Sequence, residues 1–488
     1  MLSKSDIHFR LIIKFIGLLL MIVSGFMATS IPWSIYYGEK ETIWAILISS
    51  GITLAAGFLL FLLTKGYDHR NIGKKEGYIV VTLTWVSISL AGTLPFYISG
   101  AIPFYTDAWF ETVSGFTTTG ASILTDIEAM PKGLLFWRSM THWLGGMGII
   151  VLTLAILPIL GVGGMQLFVA EAPGTTPSRL HPRITETAKR LWGIYMIFTF
   201  MQTLLLMLGG MELFDALCHS FSTMATGGFS TQNDSITGYS PYIQYVIILF
   251  MIIGGTSFSL HYFLLKGQFS KVLNNEEFRF YLSVIGVFTL IITVSLLLMY
   301  QVGLEKAFRD SLFHVVSILT TTGFITSDHQ QWEIFIWFFI FILMFTGGCI
   351  GSTAGGIKMI RILVLFKNTR LELKRLVHPM AVIPVKINGK AIPTEIIHNF
   401  LAFFLTYMLI FFAGSAIMTF FGLSFETAVG ASIATIGNIG PSIGSIGPAE
   451  NYGHLHFGAK WVLSFFMLLG RLELFTILLL FSPSFWKR

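Results

Sequence analysis

Residues 107–120 read DAWFETVSGFTTTG, residues 215–228 read DALCHSFSTMATGG, and residues 310–323 read DSLFHVVSILTTTG. Each stretch opens on aspartate, continues through a short and mainly apolar segment, and closes on a small polar turn whose last glycine stands thirteen positions after the aspartate. A looser copy, SFETAVGASIATIG, occupies 424–437 with Ser424 in place of the aspartate. A fourfold internal repeat at intervals of roughly a hundred residues marks one structural unit used four times. Four similar backbone loops around one axis form a ring of the kind that selects a dehydrated cation.

The short segments decide the fold. As helix, ten residues reach about 15 Å, half of a hydrocarbon core roughly 30 Å thick, so each segment must enter the membrane and return. Non-helical backbone at that depth is tolerated only where it is buried in protein or lines water, which sends all four loops to a shared interior. The chain supports this setting: 54% of its 488 residues are hydrophobic and 11% are charged, too little polar surface for a soluble globule of that size.

Two leading apolar runs lie near 11–29 and 44–63. Each short segment is then flanked by two long ones, at 78–99 and 136–160, 188–208 and 241–265, 278–300 and 332–365, and 396–421 and 457–481. The expected fold is an all-α polytopic membrane protein of about ten transmembrane helices. It comprises an N-terminal helix pair (1–72) and four helix/pore-loop/helix repeats with pseudo-fourfold symmetry around one pore, at 73–170, 171–272, 273–390 and 391–488, the third carrying a gating loop.

The net charge of +6 is unevenly distributed. Lys65, Arg70, Lys74, Lys75, Arg179, Arg183, Lys367, Arg370, Lys374 and Arg375 fall in loops on one side, with Lys487 and Arg488 at the end. By the positive-inside rule that side, and with it both termini, is cytoplasmic. Opposite loops carry Asp126, Glu128, Asp234, Asp328 and Glu450, which raise the local cation concentration. No basic patch with interleaved aromatics is present, so nucleic acid is not an expected partner. Neither His-Glu-x-x-His nor a phosphate loop occurs, so neither an enzyme nor a nucleotide-binding chain is expected. Cys218 and Cys349 are the only cysteines, both in apolar surroundings, and the single histidines His142, His219, His261 and His314 lack metal-ligand spacing.

With the four loops, the runs 143–148 and 157–166, 347–361, 372–379, 438–444 and 470–476, the chain resembles the Trk/Ktr/HKT superfamily of potassium transport proteins, in particular the pore subunits of bacterial Trk uptake systems. The resemblance covers nearly the whole chain. It implies a filter ring of Gly120, Gly228, Gly323 and Gly437, lined by carbonyls of Thr118, Thr119, Thr226, Gly227, Thr321, Thr322, Thr435 and Ile436. The second loop reads either Gly227 or Gly228 as its filter residue, and the fourth, with Asn438 after Gly437, leaves its register open. Plant members with serine at the first filter glycine carry sodium, so Gly120 implies potassium. The resemblance further implies a homodimer with one pore per protomer and a cytoplasmic nucleotide-binding regulatory subunit docking on 179–190 and 367–375. It also implies the bacterial inner membrane as the setting.

Residues 347–356, GGCIGSTAGG, interrupt the third unit's second long run. Glycine costs about 1 kcal/mol relative to alanine inside a helix, so Gly347, Gly348, Gly351, Gly355 and Gly356 read either as a break or as a tight packing face. Under the resemblance, this stretch with Ser352 and Thr353 is a flexible gate beneath the filter. Lys358 plugs the pore or meets an acidic partner. Arg471, inside the last span, must face the pore or pair with Glu473, and the resemblance makes it a barrier to cations. A gated channel and a K+/H+ or K+/Na+ symporter remain as alternatives, the latter requiring paired coupling-ion ligands at mid-membrane.

Overall fold

The computed structural model describes residues 8–65, 74–155, 181–381 and 383–487. The run 157–166, the end of the span expected to reach Leu160, and the loop residues Arg70 and Arg179 lie outside them.

The leading apolar runs form helices Phe9–Ala28 and Lys40–Leu63, joined by the short helix Ile31–Tyr36. They cross at glycine. A Cβ on Gly17 would stand 2.8 Å from the Gly57 carbonyl oxygen, and one on Gly57 would stand 2.7 Å from that of Gly17. Above this crossing, the Ser24 and Ser50 hydroxyls lie 3.0 Å apart. Small residues and hydroxyl pairs let helices associate where lipid supplies no hydrophobic drive. Leu47, Ile48, Ile52, Phe58 and Leu59 on the second helix stay exposed, as a lipid-facing surface requires.

Four units follow, each an outer helix, a short pore helix and an inner helix. The outer helices are Lys74–Ile98, His181–Leu208, Glu276–Tyr300 and Thr394–Phe420. The pore helices are Tyr105–Phe116, Leu213–Met224, Leu304–Leu319 and Phe425–Ile436, of 12, 12, 16 and 12 residues. None is long enough to cross. Their second halves are almost wholly buried, residues 108–116 in the first without exception. Among the described residues, six helices are long and apolar enough to span a membrane, and eight when two sharply bent pairs each count as one.

Those bends depart from the sequence expectation of unbroken inner spans. The first inner helix, Lys132–Ala155, is continuous as described, whereas the second breaks between Pro241–Gly255 and Phe258–Leu265 with a turn of 104°. The fourth breaks after Phe457–Arg471, turning by 109° into 475–481. The third separates into Ile334–Met344 and Met359–Val377, with 345–358 non-helical between them as the glycine run suggested. The strand content of the described residues is one hairpin, Lys386–Ile387 with Lys390–Ala391, turned at Asn388 and Gly389, both with positive φ.

Candidate functional site

All four pore helices end in the same hydrogen-bonded turn. Their C-caps are Thr117, Ala225, Thr320 and Gly437. The next residue takes the left-handed conformation in every case: Thr118 at φ 53°, Thr226 at 52°, Thr321 at 56° and Asn438 at 53°. Its N–H donates three residues back, to Gly115, Thr223, Ile318 and Thr435, and the following N–H donates five residues back, to Ser114, Ser222, Ser317 and Ala434, at 2.8 to 2.9 Å. This is the Schellman arrangement, which normally takes glycine at the left-handed position. Threonine there costs roughly 1–2 kcal/mol, and strain of this kind survives only where the surroundings over-determine it. Thr118, Thr226 and Thr321 are therefore turned, not extended as β-branching alone would favour.

Two positions later comes glycine, again with positive φ: Gly120 at 79°, Gly228 at 84°, Gly323 at 80° and Gly440 at 91°. These glycines close a ring. The Cβ position of Gly120 lies 2.1 Å from the carbonyl oxygen of Gly227, that of Gly228 1.9 Å from Thr322 O, that of Gly323 2.1 Å from Ile439 O, and that of Gly440 2.6 Å from Thr119 O. Each glycine abuts the residue that precedes the next loop's glycine, and the fourth returns to the first. Any side chain would strike a neighbouring carbonyl.

The register of two loops follows from this ring. In loop 2 the ring glycine is Gly228, with Gly227 one position earlier. In loop 4 it is Gly440. Thr435 and Ile436, expected to line the ring, are the last residues of the pore helix, and Gly437 is its C-cap, equivalent to Thr117. The helix runs one turn further than a reading that stops at Ile433, which moves the loop by three residues and places Asn438 where the other units have threonine. Counting thirteen back from Gly440 reaches Thr427, which replaces Ser424 as the counterpart of the aspartates.

Behind the ring, three of the four pore helices have their start tied to the chain that leaves the loop. Asp215 accepts from the Thr231 hydroxyl at 2.7 Å, Asp310 from Thr326 at 3.3 Å, and the Thr427 hydroxyl from Ser445 N–H at 3.0 Å. Asp107 instead pairs with Lys460 at 2.6 Å. Carboxylates in the first turn also complement the helix dipole. One level deeper, Glu111, His219 and His314 occupy equivalent positions, each nine residues before its ring glycine. Glu111 accepts from Ile123 N–H and Ser122 and pairs with buried Arg138 at 2.6 Å. His219 meets the Ser230 hydroxyl at 3.0 Å, and His314 meets Ser327 O at 2.9 Å. Glu111 and the histidines brace the loops.

The ring opens on one side into a cavity of about 380 Å³ lined by Gly120, Gly228, Gly323 and Gly440 and by Asp234, Asp328 and Glu450. In the nearby loop, hydrogen bonds from the Asn233 side chain and from the N–H groups of Ala129 and Glu128 hold the Asp126 carboxyl below its usual pKa, so it stays charged.

On the other side lies the irregular stretch 345–358. Its ends meet where Gly347 N–H donates to Ile357 O at 2.8 Å. Its tip contacts two other units, the second and the fourth. Thr353 donates its hydroxyl to Met224 O and Gly254 O, Cys349 N–H donates to Gly255 O at 2.8 Å, and Gly351 O accepts from Phe258 N–H. The bent second inner helix thus has its freed backbone groups satisfied by this loop, as burial demands. Gly355 N–H donates to the Thr321 hydroxyl at 2.7 Å, and a Cβ on Gly355 would stand 2.6 Å from Gly437 O. Gly348 packs in the same way on Gly255 O, Gly356 lies half-buried beside Thr346, and Ser352 bonds Cys349 O.

Arg471 is 1% exposed and donates to Thr353 O at 2.7 Å and Gly145 O at 2.9 Å. Its expected partner Glu473 pairs with Arg361 instead. Lys358 is buried and donates to Ala354 O within its own loop, with no carboxylate ion pair among the described residues. Sequence reasoning passed over Glu277, whose Oε1 accepts from Ile350 N–H at 2.7 Å and Ile360 N–H at 3.2 Å and so holds both flanks of the stretch.

The chain matches the family described as TrkH, cation transport protein, over residues 44–488. It is 41% identical to the Trk system potassium uptake protein TrkH of Escherichia coli K12, across 98% of this chain and 100% of that protein. It is 33% identical to Trk system potassium uptake protein TrkG of the same organism, across 98% and 99%. The crystal structure of the potassium transporter TrkH from Vibrio parahaemolyticus superposes with a TM-score of 0.90 at 37% identity, covering 98% of this chain and 100% of that one.

Proposed function

We propose a function from one premise: this chain belongs to the TrkH family of cation transport proteins. It takes up potassium across the bacterial inner membrane through a gated pore whose selectivity filter is the ring of four loops. The observation that carries this reading is the ring's closure, in which four left-handed turns, three of them strained at threonine, and four glycines bring backbone carbonyls together. Such carbonyls replace an ion's hydration shell. The pore-helix C-termini aim a partial negative charge of about half a unit each toward the same centre. Glycine at 120 and the names of the relatives favour potassium over sodium. The acidic cavity above the ring gathers cations on the external side.

The stretch 345–358 is the gate and Arg471 the barrier. Both sit beneath the ring, bonded to each other through Thr353 O. Helix Met359–Val377 continues from the gate and ends with Lys374 and Arg375 in its last turn. A cytoplasmic nucleotide-binding regulatory subunit that grips this basic helix would draw the gate aside, a hinge motion of packed elements. The assembly is a homodimer, both termini cytoplasmic. Flux into liposomes holding the purified chain tests the reading: potassium and rubidium should enter, sodium more slowly, without an imposed proton gradient. Uptake that needs the gradient would replace the channel with a symporter.

A further inference from the structure

Behind the ring, loop 2 differs from loops 1 and 3. There the turn is backed by paired threonine hydroxyls, Thr117 with Thr119 and Thr320 with Thr322, each pair 2.8 Å apart. At the same positions loop 2 has Ala225 and Gly227, so both hydroxyls are missing. An imidazole fills the space. A Cβ on Gly227 would stand 1.9 Å from His142 Nδ1, 2.4 Å from its Cε1 and 2.6 Å from its Cγ. Threonine at 227 is therefore incompatible with His142 in place.

His142 comes from another unit, on helix Lys132–Ala155. It is fully buried and stacks on Phe229, just past the ring glycine of loop 2, with centroids 3.9 Å apart and planes 19° apart. One helical turn earlier, the Arg138 guanidinium carbon lies 3.5 Å from the centroid of the same phenyl ring. Neither imidazole nitrogen has a hydrogen-bond partner among the described residues. Burying a polar ring without partners is unfavourable, and local rules are broken in this way mainly at functional sites.

What the ring does is mechanical. Gly227 carries the carbonyl that abuts Gly120, and two successive glycines would leave that peptide free to rotate. We propose that His142 is the back wall of the filter on its second side, a positioning residue that holds the Gly227 carbonyl in the ring and thereby sets the preference for potassium over sodium. This rests on the filter reading above. Discrimination by carbonyls depends on their number and their freedom to move, and an unbacked loop 2 admits a smaller ion by closing around it.

The test measures the K+/Na+ permeability ratio from reversal potentials of the reconstituted full chain. His142→Ala should lower the ratio roughly tenfold, and the double variant His142→Ala with Gly227→Thr, which rebuilds the wall from loop 2 itself, should return it to within about twofold of the unaltered protein. A single variant with an unaltered ratio overturns the proposal, as does a double variant no better than the single. Should His142→Ala fold poorly, the double variant carries the test alone, and a folded double with a low ratio overturns it. Gly120→Ser separates the two levels. If it shifts the ratio and His142→Ala does not, only the back wall falls; if neither shifts it, the filter reading falls as well.

Discussion

The ring and the layer beneath it are built from the same four units, yet they obey different rules. In the ring, the C-cap, the left-handed residue, the two backbone hydrogen bonds and the glycine recur in all four units, with angles at each position that differ by no more than about ten to fifteen degrees from one another. Beneath it no two inner helices are alike: one is continuous as described, one bends by 104°, one opens into 345–358 and one bends by 109°. Under the proposed function, repetition is kept where four loops present equivalent carbonyls to one ion. Under the same reading it is abandoned where a single loop and a single arginine act as gate and barrier, because a central obstacle cannot be supplied four times over.

The sharpest way to break this contrast is in the ring. Gly228→Ala places a Cβ 1.9 Å from Thr322 O at a φ of 84°. We expect potassium flux in liposomes to fall by about 100-fold or more, some 2.7 kcal/mol of barrier. Flux within a few-fold of the unaltered protein would show that the ring tolerates asymmetry. Next comes the layer beneath. Arg471→Ala removes the buried cation that holds Thr353 O and Gly145 O, and passive flux should rise about tenfold as the barrier falls. An unaltered rate would leave Arg471 a purely structural bond.

Glu277→Ala frees Ile350 N–H and Ile360 N–H, each left with an unmet hydrogen bond of about 1–3 kcal/mol. Basal flux should then increase a few-fold while the permeability ratio stays unchanged, which a patch-clamp record of both quantities reads directly. A changed ratio would mean that the gate flanks shape the filter. The smallest effect is expected at the outer braces. Asp107→Ala breaks the pair with Lys460 and should cost about 2 kcal/mol of stability, seen as an earlier thermal transition in detergent, with selectivity intact.

The repeated region was also the region legible in the sequence. Apolar run lengths located the long helices to within a few residues at most ends, and the aspartate-to-glycine offset located three loops. Loop 4 escaped because 434–440 offers two glycines, and the first, Gly437, mimics the sequence of the other turns while the helix runs on beneath it. A signal was nevertheless present: Asn438 tolerates the left-handed conformation, and its spacing to Gly440 equals that of Thr118 to Gly120. Asymmetry in the lower layer left weaker traces. The glycine run announced the third break, and Gly254, Gly255, Thr256 and Ser257 mark the second in retrospect. The partners of Arg471 and His142 come from other units, and those of Glu277 stand 73 and 83 residues further along its own unit, so none has a local signature.

Anomalous scattering from crystals grown in rubidium tests the central claim most directly. A rubidium peak enclosed by the loops that end in Gly120, Gly228, Gly323 and Gly440, weakened by competing potassium and not by equal sodium, is the predicted result. A ring without a peak, with rubidium bound elsewhere in the protein, would contradict it.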